Sequence, residues 1–169
     1  MRTLLRFSML LITTAVTQRF LFDQLRVDDV AADAFLVLAV ATGMVAGPRQ
    51  GAVVGFASGF VLDLLVATPF GLGALSYLVA GAVAGLIEGL VVHSARWLVM
   101  LVAFIASTVG VLFFAVLGAL VGSPDMVNGH LITVVGVVSA STAVLVLPAR
   151  RAVRWAEPVS DSFRTAIHP

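Results

Sequence analysis

Hydrophobic residues occur along this chain in six runs, separated by short polar or glycine-rich segments. The runs cover residues 4–22, 34–46, 52–67, 72–92, 97–121 and 131–147. A helix needs about 20 apolar residues to cross a hydrocarbon layer about 30 Å thick, and it satisfies its own backbone hydrogen bonds in lipid. The pattern therefore predicts an all-α polytopic membrane protein with about six transmembrane helices in a single domain, residues 1–169.

The second and third runs predict a tight helical hairpin. Run 34–46 is short for a full crossing, and the turn Gly47-Pro48-Arg49-Gln50-Gly51 leads directly into the next run. Two interpretations stay open: both helices cross the bilayer, or both enter and leave on one side. In the second case only Arg49 changes sides, and the topology of the other spans is the same.

Charged residues and prolines mark the other boundaries. An acidic segment after the first run predicts an exposed loop. Its charged residues are Asp23, Arg26, Asp28, Asp29 and Asp33. Thr68 is placed to cap the fourth helix, with Pro69 in its first turn and Gly71 in the same chain break. Pro148 is expected to end the sixth helix, and residues 148–169 to form a tail that Trp155 and several arginines anchor at the lipid headgroups.

The composition of the chain also indicates a protein that lies in a lipid bilayer. Hydrophobic residues make up 60% and charged residues 11% of the sequence, against roughly 45–50% and 25% in soluble domains. The net charge of +1 is too balanced for a nucleic-acid-binding surface. Cysteine is absent, which excludes thiolate metal sites and cysteine nucleophiles. With no catalytic motif and no convergent histidines, the sequence predicts neither an enzyme nor a bound metal or cofactor.

The positions of the arginines predict the orientation of the spans. Basic residues near span ends stay on the cytoplasmic side of a membrane. In the six-span arrangement one side receives Arg2, Arg6, Arg49, Arg96, Arg150, Arg151, Arg154 and Arg164. The other side receives Arg19 and Arg26, beside several aspartates. Both termini are therefore predicted to be cytoplasmic.

Two glycine triplets with four-residue spacing lie in the third and fourth runs. They are Gly51, Gly55 and Gly59, and Gly81, Gly85 and Gly89. Residues four apart share a helix face, and a face of small residues lets another helix approach closely in lipid. Two interpretations stay open: the triplets pack against helices of the same chain, or one triplet forms a groove that receives a helix of a partner protein.

Asp63 is the leading candidate for a functional residue within the spans, because a carboxylate at membrane depth is costly unless it is paired, protonated or in a polar cavity. It is placed to pair with Arg19 or to accept hydrogen bonds from N–H groups at the start of the fourth helix. Ion or proton handling is the alternative role. Glu88, near the other face of the membrane, is placed to pair with Arg96 or to reach the headgroups.

The segment 39–89 resembles the bacterial rod shape-determining protein MreD family. It carries Gly47-Pro48-x-x-Gly51, then Gly55-Phe56-x-x-Gly59-x-x-x-Asp63, then Pro69-x-Gly71 and Ala74-Leu75, in the order and spacing of that family. The length and hydrophobic character of the chain also fit. The chain departs from the family after the fourth span, where members often carry a basic cluster and this sequence has Glu88, His93 and Arg96.

The resemblance implies a non-catalytic subunit of the cell-elongation complex in the bacterial cytoplasmic membrane, supporting peptidoglycan synthesis and cell shape. The implied partners are the bitopic scaffold MreC, the actin-like MreB, a RodA-type polymerase and a penicillin-binding transpeptidase. The implied fold resembles the S-component of energy-coupling-factor transporters. The alternative function is a vitamin-type binding subunit of a transporter, with a pocket near Asp63 and Tyr77. The sequence leaves open whether the chain forms homo-oligomers.

Overall fold

The computed structural model describes residues 2–18, 20, 26–27, 30–66, 71–90, 96–121 and 130–156. These residues form the helices α1 (Arg2–Thr17), α2 (Ala34–Ala46), α3 (Pro48–Leu65), α4 (Leu72–Leu90), α5 (Arg96–Leu120) and α6 (His130–Ala156). Strands β1 (Arg26–Val27) and β2 (Val30–Ala31) form a short antiparallel hairpin in the segment predicted as a loop. The described chain is thus helical, as predicted, apart from this hairpin.

Helix α2 lies at the centre of the bundle. Residues 35–44 are all buried, and α2 contacts each of the other described helices. Those helices surround it in the order α1, α3, α4, α5 and α6, and α6 closes the ring against α1. A helix that is apolar on every side belongs in the interior of a protein, and α2 contains no charged residue.

Within the described residues, three helices are long and apolar enough to cross a membrane, judged by length and composition. They are α4, α5 and, within α6, residues Leu131–Ala156. Helix α2, with 13 residues, is roughly 20 Å long, which is shorter than a hydrocarbon layer of about 30 Å. A helix this short can end within the hydrocarbon layer only where protein surrounds its ends. Six complete crossings therefore stay a prediction.

The junction between α2 and α3 differs from the predicted five-residue turn. Helix α3 begins at Pro48 instead of residue 52, so that Gly47 is the one residue between the two helices. Gly47 has a φ of +89°, in a region that glycine enters without steric cost. Pro48 starts α3 with a preset φ. The predicted boundary was wrong because a proline fits the first turn of a helix.

The end of α6 also differs from the prediction. The helix continues through Pro148 to Ala156, so the predicted termination at Pro148 was wrong. An internal proline costs about 3 kcal/mol or more, but the residues beyond it bury Val153 and Ala156 in the bundle. The predicted tail is therefore helical up to residue 156, and residues 157–169 lie outside the described part of the chain.

The last turn of α6 holds α1 in place. Arg6 donates a hydrogen bond from Nη1 to the Trp155 carbonyl oxygen at 3.3 Å. Its guanidinium carbon lies 5.3 Å from the centroid of the Trp155 ring, within the range of a cation–π interaction. Trp155 thus contacts α1 of the same chain, in addition to the headgroup role predicted for it.

Candidate functional site

The contact between α3 and α4 brings the two glycine triplets together. Three backbone pairs meet across it: Gly51 with Gly81, Gly55 with Tyr77, and Gly59 with Gly73. A Cβ atom on Gly55 would lie 2.2 Å from the Tyr77 carbonyl oxygen, which is closer than any side chain tolerates. The absence of side chains therefore lets the two helices touch through their backbones.

Five of the six triplet glycines pack closely against backbone atoms of the same chain in this way. Gly85 is the fifth, and it packs against Pro48 at the start of α3. At Gly89 a Cβ atom would meet nothing within 4 Å among the described residues. These five glycines lie at contacts within the chain, as in the intramolecular interpretation, and partner binding through the triplets stays a prediction.

Gly43 of α2 also packs against α4 at this contact, and it was not among the predicted glycines. A Cβ atom on Gly43 would lie 2.1 Å from the Gly81 carbonyl oxygen. Gly43 precedes Gly51 by eight residues, but the turn at Gly47 separates them. A search for periodicity within one helix therefore does not connect the two glycines.

Asp63 holds the start of α4. It lies near the end of α3 with 2% of its surface exposed. Its carboxylate accepts hydrogen bonds from the backbone N–H groups of Gly71, Gly73 and Ala74, at 3.0, 3.1 and 3.2 Å. N–H groups in the first turn of a helix lack partners in that helix and form the positive end of its dipole. Asp63 therefore caps α4, which is one of the two structural roles predicted for it.

Some of the other residues predicted near Asp63 lie within the described part of the chain, and others do not. Arg19 and Pro69 lie outside the described residues, so that the pairing of Arg19 with Asp63 and the chain break at Pro69 stay predictions. Gly71 has a φ of +96°, a conformation that residues with a side chain rarely adopt. Glycine at this position lets the chain direct the N–H group toward the carboxylate.

A second aspartate, Asp33, caps α2. It accepts hydrogen bonds from the N–H groups of Phe35 and Leu36 at 3.0 and 3.1 Å, and the Tyr77 hydroxyl donates to its other carboxylate oxygen. Burial raises the pKa of Asp33 to about 6, while the two backbone hydrogen bonds act in the opposite direction.

The prediction of an exposed loop was wrong for Asp33, which is half-buried and links α2 to α4 through Tyr77. An acidic residue directly before an apolar run is a signal for a helix N-cap. That signal was present in the sequence, but the neighbouring acidic residues made the whole segment resemble a loop.

Glu88 forms a buried ion pair with Arg150 at the opposite end of the bundle. Its Oε1 atom lies 2.9 Å from Arg150 Nη2, and the two residues are 6% and 8% exposed. The predicted alternatives, pairing with Arg96 or reaching the headgroups, were wrong. Because α6 continues past Pro148, it brings Arg150 against α4.

The arginine side chains that the structure describes all belong to the end of the bundle that holds Glu88, here called the arginine end. They are Arg6, Arg49, Arg96, Arg150, Arg151 and Arg154. The opposite end, with Asp33 and Asp63, is called the aspartate end. This separation of charge follows from the up-and-down order of the helices and agrees with the predicted grouping of basic residues.

A cavity of about 560 Å³ lies at the arginine end, between α2, α3, α4 and α6. Its lining includes Gly47 and Pro48 at the start of α3, Glu88 and Gly89 of α4, and Arg150 and Arg154 of α6. A second, mainly apolar cleft of about 350 Å³ separates α1 from α2 and α6. Of these two cavities, only the first is lined by charged side chains, which are Glu88, Arg150 and Arg154.

Helix α6 also presents a row of exposed residues at four-residue spacing, here called the α6 stripe. It consists of Ile132, Gly136, Ala140 and Val144. A Cβ atom on Gly136 would meet nothing within 4 Å among the described residues. This surface was not predicted from the sequence, because two small residues in a chain rich in glycine and alanine are a weak signal until the structure shows which side of the helix is covered.

Comparison with known proteins agrees with the sequence motifs. The family model described as rod shape-determining protein MreD matches residues 1–148 of the 169-residue chain. No curated protein and no solved structure matched the chain, so the predicted likeness to transporter S-components is untested. The matched range contains α1 to α5, most of α6, the glycine contacts, Asp63 and Glu88. The chain therefore belongs to the rod shape-determining protein MreD family and is a membrane protein of bacterial cell shape.

Proposed function

We propose that this protein is a non-catalytic subunit of the cell-elongation complex in the bacterial cytoplasmic membrane, where it binds MreC and supports peptidoglycan synthesis. The observation that carries the proposal is the family match over residues 1–148. The use of the buried charges supports a scaffold, because Asp63 caps a helix and Glu88 pairs with Arg150. MreB, the RodA-type polymerase and the penicillin-binding transpeptidase join the same assembly in this proposal.

In this proposal the arginine end faces the cytoplasm, and both termini lie there. The support is the grouping of the described arginine side chains at the ends of helices that meet on one side of the bundle. Basic residues next to spans are retained on the cytoplasmic side during insertion.

The α6 stripe is the surface that we assign to the transmembrane helix of MreC. Apolar exposure by itself does not identify such a surface, because lipid tails are as apolar as leucine. Small residues at four-residue spacing allow a second helix to approach closely. Gly136 and Ala140 have this spacing and are exposed, whereas the glycines of α3 and α4 already contact each other.

Substitution of Gly136 tests this assignment. We expect Gly136→Leu to reduce the amount of MreC that co-purifies with the protein from membranes, because the larger side chain keeps the partner helix away. Gly89→Leu is the matched control, since Gly89 is also helical and a Cβ atom there would meet nothing within 4 Å among the described residues, but it lies on α4, away from the stripe. Size-exclusion profiles in detergent establish that both variants fold.

Equal recovery of MreC with well-folded Gly136→Leu would refute the α6 stripe as the interface. Loss of MreC from Gly89→Leu alone would move the interface to α4. Gly55→Leu does not serve this test, because its side chain would enter the backbone of Tyr77 and disrupt the bundle itself.

The vitamin-binding alternative receives no support from the residues on which it depended. The carboxylate of Asp63 accepts three backbone hydrogen bonds, and the Tyr77 hydroxyl donates to Asp33. Both side chains are therefore engaged in contacts that hold helices together.

A further inference from the structure

The ion pair between Glu88 and Arg150 leaves part of the Arg150 guanidinium without hydrogen bonds. Arg150 Nη2 donates to Glu88, but the buried Nε atom has no partner among the described residues. A guanidinium remains charged at all physiological pH values and offers five N–H donors in one plane. Glu88 thus balances the charge of Arg150 while leaving N–H groups of a residue that is only 8% exposed unused.

A second positive group lines the same cavity, because Arg154 lies one turn beyond Arg150 on α6. The start of α3 also lines the cavity, at Gly47 and Pro48. Pro48 has no N–H group, and the Gly47 N–H donates to the Gly43 carbonyl oxygen, so the two arginines supply the hydrogen-bond donors. Two guanidinium groups outweigh the single carboxylate of Glu88.

We propose that this cavity binds the phosphate group of an anionic phospholipid. Phosphate oxygens accept several hydrogen bonds at once from arginine side chains. Basic pockets between transmembrane helices on the cytoplasmic side bind anionic lipid headgroups, and the arginine end is where headgroups meet the bundle. Gly89 leaves space for the phosphate, since a Cβ atom there would meet nothing within 4 Å among the described residues.

The occupant is a lipid headgroup rather than a soluble phosphate because the cavity lies at one end of helices whose outer surfaces are apolar. Helix α4, which lines the cavity at Gly85 and Gly89, exposes their sequence neighbours Leu86 and Leu90. A lipid places its phosphate at this level and its acyl chains along such surfaces. This inference goes beyond binding of MreC and does not depend on it.

Thermal unfolding of the purified full-length protein in detergent tests the proposal. The probes are phosphatidylglycerol and phosphatidylcholine with identical acyl chains, and glycerol 3-phosphate as the soluble phosphate. We expect phosphatidylglycerol to raise the unfolding temperature more than the other two. Native mass spectrometry, with both lipids present, gives the binding preference for phosphatidylglycerol directly.

Arg154→Gln and Arg151→Gln form a matched pair on the same helix. Both arginines are exposed and lie in the same turn region of α6, but only Arg154 lines the cavity. We expect Arg154→Gln to lower the preference for phosphatidylglycerol roughly fivefold, as for the loss of one basic residue beside an anionic headgroup. Arg151→Gln should keep the preference of the unmodified protein.

Three results would overturn the proposal. Equal stabilisation by the two lipids would exclude anionic lipid and leave an acidic segment of a partner protein as the ligand to be tried. Equal loss of preference in both arginine variants would show that the lipid is attracted to the basic surface of α6 as a whole and is not bound in the cavity. Stabilisation by glycerol 3-phosphate as large as that by phosphatidylglycerol would assign the cavity to soluble phosphate compounds.

Glu88→Gln supplies an independent measurement. It removes the carboxylate that balances Arg150, so an anionic lipid should then supply the missing negative charge. We expect a lower unfolding temperature without lipid and a larger rise on addition of phosphatidylglycerol than in the unmodified protein. An unchanged or smaller rise would contradict the placement of the lipid phosphate beside Arg150.

Discussion

Asp63 illustrates how a carboxylate is retained inside an apolar bundle. Burial of an ionised carboxylate without partners is very costly. Here the partners are backbone N–H groups of α4 that also need an acceptor, so that the same hydrogen bonds satisfy both sides. The capping contact therefore accounts for the burial of this carboxylate, and ion or proton handling stays an untested alternative.

Replacing Asp63 should lower the stability of the protein. We expect Asp63→Ala to reduce the free energy of unfolding by roughly 1–3 kcal/mol for each buried N–H group that loses its acceptor. The measurement is the midpoint of unfolding in mixed micelles. Leu64→Ala is the neighbouring control, because Leu64 is 59% exposed and exposed positions change stability by about 0.5 kcal/mol or less. Similar midpoints for both variants would contradict the capping role.

Asp33 should make stability depend on pH. Its pKa is raised from 3.8 to about 6 in the folded protein, so that the folded state binds a proton more strongly than the unfolded chain does. Its stabilising contribution is therefore complete below pH 3.8 and is lost as the pH rises through about 6.

We expect the unfolding temperature of the unmodified protein to fall between pH 5 and pH 7 relative to that of Asp33→Asn, which cannot titrate at this position. Comparison of the two proteins at each pH removes the contribution of other titrating groups. Parallel pH profiles would show that Asp33 titrates alike in the folded and unfolded chains.

At the scale of helices, backbone contact between α3 and α4 is the main packing feature. Lipid supplies no hydrophobic driving force between helices, so close contact and hydrogen bonding must hold them together. The face-to-face glycines give such contact over most of the length of both helices. Gly43 extends the contact to α2, which places the central helix against the same two partners.

Gly55→Ala and Gly89→Ala should differ although they introduce the same methyl group. At Gly55 the methyl would lie 2.2 Å from the Tyr77 carbonyl oxygen, whereas at Gly89 it would meet nothing within 4 Å among the described residues. We expect Gly55→Ala to lose about 1–3 kcal/mol through overpacking, and Gly89→Ala to lose nothing. Thermal unfolding in detergent measures both, and an equal effect would refute the face-to-face contact.

At the scale of the whole molecule, the two ends of the bundle carry opposite charge patterns. The arginine side chains that the structure describes lie at one end, and the two capping aspartates lie at the other. Helix α2 is too short to cross a full hydrocarbon layer, but it is enclosed by its neighbours. Whether α2 and α3 cross the membrane therefore depends on the side of the membrane on which the residues at each of the two ends of α3 lie.

Cysteine labelling can determine this topology, because the natural sequence contains no cysteine. Arg49 lies at the start of α3 and Val66 directly follows its end; both are exposed. In spheroplasts we expect a membrane-impermeant maleimide to label Val66→Cys and not Arg49→Cys, with both labelled after lysis. Labelling of Arg49→Cys before lysis would contradict the orientation and the crossing of α3.

Much of the fold was predictable from residues that act locally. The apolar runs placed the helices, because the length of a run reflects the thickness of the bilayer and needs no knowledge of neighbours. The motif from Gly47 to Asp63, followed by Gly71, correctly indicated the family. The predicted ends at residue 52 and at Pro148 were wrong, since a proline is compatible with more than one position in a helix and packing decides among them.

The sequence by itself determined a helical membrane protein with basic residues at one side, because hydropathy and charge act on each segment separately. Only the tertiary structure decided that α2 is central, that most triplet glycines pack at contacts within the chain and that Gly136 is uncovered among the described residues. It also decided that Glu88 pairs with Arg150, 62 residues away. Such contacts depend on which helix surfaces meet, and a helix of small and apolar residues is compatible with several neighbours until the whole bundle has packed.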